Sequence, residues 1–224
     1  MDNKEKIAII GGTGKEGKGL AYRWVKAGYS VVIGSRKDEK AQAAVDELKE
    51  LLQVHKMDLI TGKENTIAAD EADIVVLTIP FQFHKNMLEQ LKPHVQGKTV
   101  VDVTVPLVPP KVSVIKIPEN GSVALTTQKI LGPAVGVISA FQNISFELLL
   151  SDKEIECDVL MCGSDKETRE LGMRLVKDAG LNVWDAGPLE NSIIAEGLTS
   201  ILIRLNKKYK IHSAGIKITG INKE

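Results

Sequence analysis

Gly12, Gly14 and Gly17 stand in G-x-G-x-x-G spacing within Gly12-Thr13-Gly14-Lys15-Glu16-Gly17, directly after the apolar run Ile7-Ala8-Ile9-Ile10 and at the head of a helical pattern. In that context the first glycine permits a tight turn, the second lets the backbone approach a pyrophosphate, and the third lets helix pack closely on strand. The helix N-terminus then offers unpaired N–H groups and a partial positive charge to phosphates. A dinucleotide is the expected ligand. The second apolar run ends in Gly34-Ser35-Arg36-Lys37-Asp38-Glu39-Lys40. A site for NAD usually carries a carboxylate at this turn, to accept from the ribose 2′-hydroxyl. Here Ser35 and Arg36 occupy it, with Lys40 one helical turn beyond Arg36. A guanidinium forks onto phosphate, which a carboxylate would repel, so these residues predict NADP(H), although Asp38 and Glu39 partly neutralise the corner.

Groups able to move a proton are harder to place. A dehydrogenase acting on a hydroxyl needs a lysine, histidine or tyrosine within reach of the substrate oxygen. His55 and His94 fall in polar stretches, and His212 lies near the C-terminal end. His84 follows Pro80 near the expected cleft but reads as a histidine on a helix surface, and Glu196 is expected to face water or to cap a helix. No catalytic acid or base is assigned. Hydride exchange between two bound carriers needs none, because the heterocycles supply the reactivity and the protein supplies position and dryness. Ile79, Pro80, Phe81, Val135 and Leu189 are the expected apolar lining for stacked rings. Cys157 and Cys162 are five residues apart in a strand-like run, so their side chains point to opposite faces. They are expected to be buried reduced thiols, and with no His/Cys cluster elsewhere no metal site is expected.

The elements that must hold these residues alternate along the first 105 positions. Strands are expected at Ile7–Ile10, Ser30–Gly34, Leu59–Ile60, Ile74–Ile79 and Thr99–Val103. Helices are expected up to Ala27, from Asp38 to Gln53, from Thr66 to Glu71 and from Gln82 to Leu91. Unbroken β-branched runs alternating with helices indicate an α/β, doubly wound parallel sheet covered on both faces. After Pro106 the chain reads as a long loop to Gly121, then a helix capped by Ser122 and running to Leu131. A strand at Glu156–Cys162, a helix at Lys166–Ala179, a strand at Asn182–Asp185 and a helix at Glu190–Asn206 follow. The expected division is residues 1–140 for the nucleotide and 141–224 for a small C-terminal α/β domain closing the cleft.

Composition narrows the partners. The 224 residues carry 29 Lys plus Arg against 29 Asp plus Glu, so no net field draws nucleic acid or an anionic membrane. Aromatics at 4% argue against a stacking platform for single strands, and no apolar stretch is long enough to span a bilayer. A soluble, cytoplasmic protein is expected. The patch Lys207-Lys208-Tyr209-Lys210 reads as a solvated helix end, with attraction of an acidic coenzyme tail as the alternative.

Gly11-Gly12-Thr13-Gly14-x-x-Gly17-Lys18-Gly19-Leu20-Ala21, Gly34-Ser35-Arg36, Leu77-Thr78-Ile79-Pro80, Val105-Pro106-Leu107-Val108-Pro109 and Asp185-Ala186-Gly187-Pro188-Leu189 together resemble the F420:NADP oxidoreductases across nearly the whole chain. The resemblance implies a Rossmann domain with a small C-terminal domain, and hydride transfer between C4 of the nicotinamide and C5 of a deazaflavin, coenzyme F420. It implies that Thr13, Gly14 and Lys15 hold the pyrophosphate, Ser35, Arg36 and Lys40 the 2′-phosphate, and Ile79 and Pro80 the nicotinamide. Gln142 and Asn143 stand where the family carries a histidine- and proline-bearing run, and either amide can hydrogen-bond a ring. The expected cofactor-binding residues are therefore Gly12, Thr13, Gly14, Lys15, Glu16, Gly17, Ser35, Arg36, Lys40, Thr78, Ile79, Pro80, Val105, Gln142 and Asn143. The expected partner is a small-molecule redox carrier, and the sequence leaves a homo-oligomer open. The rival readings are a reductase of another flavin or of a small carbonyl or imine, and a non-catalytic NADP(H) sensor whose cleft Phe141 and Phe146 would close.

Overall fold

A computed structural model describes residues 4–52 and 58–220. The chain runs β1 (Ile7–Ile10), α1 (Lys15–Lys26), β2 (Val31–Ser35), α2 (Asp38–Leu51), β3 (Ile60–Glu64), α3 (Asn65–Glu71), β4 (Ile74–Leu77), α4 (Phe81–Leu91) and β5 (Thr99–Asp102). It continues through α5 (Val123–Leu131), β6 (Gly136–Ser139), α6 (Phe146–Leu149), β7 (Asp158–Gly163), α7 (Lys166–Asp178), β8 (Asn182–Asp185) and α8 (Ser192–Tyr209). His55 and the expected helix end at Gln53 lie outside the described residues.

The strands form one sheet in the order β3-β2-β1-β4-β5-β6-β7-β8, parallel except for the β6–β7 pair. The apolar runs explain why both faces are covered. Ile7 and Ile9 of β1 enter one core cluster, and the alternate residues Ala8 and Ile10 enter the other. The order reverses between β1 and β4, and loops leaving the carboxyl ends of those strands diverge to leave a crevice.

The boundary expected at residue 140 falls where the sheet changes direction: Ile138 pairs with Gly163 and Ser139 with Cys162. The core on the α1 face draws residues from both sides of it. Trp24 donates from Nε1 to Leu175 O at 2.9 Å and meets Phe141 edge-on at 5.7 Å between centroids. Arg23 donates from Nε to Leu149 O and from Nη2 to Leu148 O, both at 2.9 Å, and gathers Ser151 O as well. Gly19 belongs to the same contact, since a Cβ there would lie 2.6 Å from Leu149 Cβ. α1 is thereby fixed to α6, a helix the sequence analysis missed.

Ser122 caps α5 as expected, its Oγ accepting from Leu125 N at 3.0 Å. Glu196 adds to that cap, accepting from Val123 N at 2.8 Å and Ala124 N at 3.1 Å from a fully buried position on α8. Burial pushes its carboxyl up to about 7 against the pull of those N–H groups. Cys157 and Cys162 are buried free thiols, and burial raises both, Cys162 to about 12. Among the described residues no helix is long and apolar enough to cross a membrane, and no group of His, Cys, Asp and Glu could hold a metal ion.

Candidate functional site

The glycine turn is built as the spacing requires, with one shift. The residue with positive φ is Gly11 (73°), not Gly12. Gly12 N then donates back to Ile9 O at 3.1 Å and to Gly34 O at 3.0 Å, tying the ends of β1 and β2 together. Gly17 seats α1 on the turn: a Cβ there would lie 2.6 Å from Gly12 Cα and 2.8 Å from Thr78 Oγ1. Gly14 is the N-cap of α1 and lends it no side-chain hydrogen bond, and both Gly14 and Lys15 are exposed. The free N–H groups of the first helical turn therefore open outward, where an anion can reach them. Thr13 is half-buried in the same turn.

A cleft of about 880 Å³ opens beside this turn. Gly14, Lys15 and Glu16 form one side; Thr78, Ile79, Pro80, Phe81 and Gln82 follow β4; Val103 to Val105 and Leu107 to Pro109 follow β5. Phe141, Gln142, Ile144 and Phe146, with Thr199 and Ile203 of α8, complete it from the later part of the chain. Thr78 is locked to β1 by donating from Oγ1 to Ile10 O at 3.1 Å. Lys15 Nζ stands 4.8 Å from the Phe146 ring centroid, a cation–π contact across the mouth.

Two polar atoms in this lining are buried without a partner, Glu16 Oε1 and Gln142 Oε1. The Gln142 amide is oriented by donation from Nε2 to Asp102 O at 2.9 Å and to Ser139 Oγ at 2.8 Å, which leaves Oε1 as a free acceptor. Burial alone pushes the Glu16 carboxyl up to about 8.

Not every expected residue meets this cleft. Asn143 is buried alongside it, and its Nδ2 donates to Asp158 O at 2.7 Å and to Cys157 Sγ at 3.3 Å, so its amide braces the start of β7. Val135 and Leu189 are buried in a core cluster that also holds Ile79, but unlike Ile79 they do not line the cleft; Val103, Leu107, Ile144 and Ile203 supply that lining instead. Phe141 is sealed against Trp24 and does not close the cleft. Ser35 is buried at the end of β2, with Arg36 and Lys40 exposed beyond it, and among the described residues neither cation is engaged in an ion pair.

His84 is the clearest correction. It is buried, not on a helix surface, with Nε2 2.7 Å from Asp102 Oδ2 and 3.1 Å from Thr127 Oγ1. Burial alone would lower the imidazole, but the Asp102 carboxylate outweighs it and raises His84, while the reciprocal charge and the Thr127 hydroxyl hold Asp102 below its usual range. This pair lies directly behind the cleft wall: Asp102 Oδ1 accepts from Thr104 N at 2.9 Å, and its carbonyl holds Gln142. Sequence reasoning also passed over Asn65, whose Oδ1 accepts from Gly11 N at 3.5 Å between the β1 and β2 turns. The visible signal for Asp102 was a lone carboxylate inside an apolar strand.

A parallel sheet with a glycine turn at its topological switch point and an adjoining apolar cleft defines a nicotinamide-dinucleotide oxidoreductase fold. Residues 6–106 match the family described as NADP oxidoreductase, coenzyme F420-dependent. The chain is similar to the F420-dependent NADP reductases of Methanocaldococcus jannaschii (41% identity over 96% of this chain and 99% of the relative) and Methanothermobacter thermautotrophicus (36%, over 96% and 95%). Among solved structures, one from Arthrobacter sp. FB24, provisionally described as an F420-dependent NADP reductase, superposes with a TM-score of 0.82 at 23% identity, covering 97% of this chain and all of that one. A pyrroline-5-carboxylate reductase of Coxiella burnetii shares the fold at a TM-score of 0.60 and 20% identity, over 93% of this chain and 71% of that one. The chain belongs to the F420-dependent NADP oxidoreductase family.

Proposed function

We infer that the chain transfers hydride between NADP(H) and coenzyme F420, as an F420-dependent NADP reductase. The observation that carries this reading is the single cleft that joins the phosphate-facing turn of α1 to apolar walls from both parts of the chain. The residues present fit two ring-bearing carriers. Gly14 has no Cβ to block a pyrophosphate, the walls are apolar, and two buried oxygens lack partners for ligand N–H or O–H groups. When bound, the carriers supply reversible hydride exchange between ring carbons, with one proton from solvent balancing each NADPH oxidised.

On this reading the chain's own residues bind, orient and keep the site dry. Gly12 to Gly17 hold the pyrophosphate on the first turn of α1, and Ser35, Arg36 and Lys40 hold the 2′-phosphate. Thr78, Ile79, Pro80 and Val105 flank the nicotinamide, and Gln142 accepts one hydrogen bond from a ring or carboxamide N–H. The His84–Asp102–Thr127 cluster holds Thr104 and Gln142 in place and moves no proton to substrate. Residues 1–140 carry the nucleotide and 141–224 close the cleft, a division of labour within one sheet. The enzyme is cytoplasmic, and its mass in solution tests whether it works as a homo-oligomer.

Mixing the purified protein with NADPH and oxidised F420 should remove the deazaflavin's visible absorbance in step with NADPH oxidation. NADPH binding with no loss of that absorbance would overturn the assignment of the second carrier.

A further inference from the structure

We propose that Glu16 sets the cleft's preference between the oxidised and reduced forms of the nicotinamide nucleotide through the charge on its carboxyl. The proposal rests on the reading of this cleft as the NADP(H) site. Oxidised nicotinamide carries a full positive charge and the reduced ring carries none, so a carboxylate within the same low-dielectric cleft stabilises one form and is nearly indifferent to the other.

Glu16 is placed to make that distinction. It lies one residue beyond Lys15 on α1, and it lines the cleft together with Ile79, Pro80 and Gln142. Although the residue is half-buried overall, its Oε1 is sealed from water without a hydrogen-bond partner. Every other wall facing it is uncharged. The segments after β4 and β5, the stretch from Phe141 to Phe146, and Thr199 and Ile203 of α8 bring no ionisable side chain into the lining. On α1 itself, Lys15 is turned over the Phe146 ring and Lys18 is paired with Glu47. His84, Asp102 and Glu196 are buried behind the wall in contacts of their own.

The sign follows from the titration. Burial pushes the Glu16 carboxyl up to about 8, so it is mostly neutral below that pH and mostly ionised above it. Ionised Glu16 repels the pyrophosphate of both nucleotides alike, and that effect cancels in the ratio of their dissociation constants. Its attraction for the cationic ring does not cancel. By linkage, NADP+ must lower the Glu16 pKa relative to NADPH, and affinity for NADP+ must rise relative to NADPH as pH rises.

Dissociation constants for NADP+ and NADPH, measured by calorimetry or fluorescence titration at about pH 6.5 and about pH 9.5, test this without catalysis. In the wild type the ratio Kd(NADP+)/Kd(NADPH) should fall about tenfold across that interval, the size expected for one partly buried charge pair. In Glu16→Gln, which keeps the shape and removes the charge, the ratio should be flat. A flat ratio in the wild type, or the same slope in Glu16→Gln, overturns the proposal. Arg36→Ala, measured alongside, reports on the site reading itself: unchanged NADPH affinity there would remove the ground on which the proposal stands.

Discussion

In the proposed site Arg36 and Glu16 act on opposite ends of the ligand; the sequence named both as cofactor-binding but offered a role of its own only for Arg36. Arg36 follows β2 directly, so its place beside the glycine turn is fixed by one strand and one hydrogen bond, Gly12 N to Gly34 O. Charge-assisted hydrogen bonds are worth about 1.5–3 kcal/mol, but Arg36 is exposed and water screens it, so the lower end of that range applies. Arg36→Ala should therefore weaken NADPH binding by about tenfold and leave NADH binding nearly unchanged, as read by titration of each nucleotide. Equal loss for both would show that the guanidinium does not meet the 2′-phosphate. His84 shows where local reading stops. Its partner Asp102 lies on β5 and Thr127 on α5, so the cluster exists only once β4 and β5 are paired and α4 and α5 cover them. Helical periodicity placed His84 on α4 correctly but could not say which face α5 would bury.

At the scale of elements, most strands were readable as unbroken apolar runs and the longer helices from their own period, and their ends matched to within a few residues. α6 was missed because its four residues make barely one helical turn, too few to show a period. β6 is as short as β1, β4 and β5, and was passed over behind the glycine- and proline-bearing break at Gly132 to Gly136. Ring-wall residues were misassigned where apolar character alone was the guide. Val135 and Leu189 are as apolar as Ile79 and share its core cluster, and only the three-dimensional path of the chain keeps them out of the cleft lining that Ile79 reaches. α1 is the element on which the site depends most, because Gly17 sets how closely its first turn approaches Gly12 and Thr78. Gly17→Ala should displace that turn, costing about 1–3 kcal/mol of stability by overpacking. It should also weaken NADPH binding more than the stability loss explains. Denaturant titration and nucleotide titration of the same variant check this, and an unchanged nucleotide affinity would place the cradle elsewhere.

For the whole molecule, composition narrowed the expectations more than it identified a function. Balanced charge and few aromatics argued against nucleic-acid and membrane readings, and the alternation of strands and helices indicated the layered architecture. The sharing of one core across residue 140 was not readable, because it depends on long-range contacts such as Trp24 with Leu175 and Phe141. Those contacts predict a single cooperative unfolding transition. In Trp184→Phe the fluorescence of Trp24, and in Trp24→Phe that of Trp184, should each coincide with loss of helical circular dichroism in the same variant. Separate midpoints would mean the two parts melt independently. The Arg23 clamp on the carbonyls of Leu148, Leu149 and Ser151 carries a last consequence. Since α1 ends in that clamp and begins at the glycine turn, Phe146 rides on the same rigid lever as the cradle. A disturbance at Arg23, remote from either carrier, would be transmitted to both.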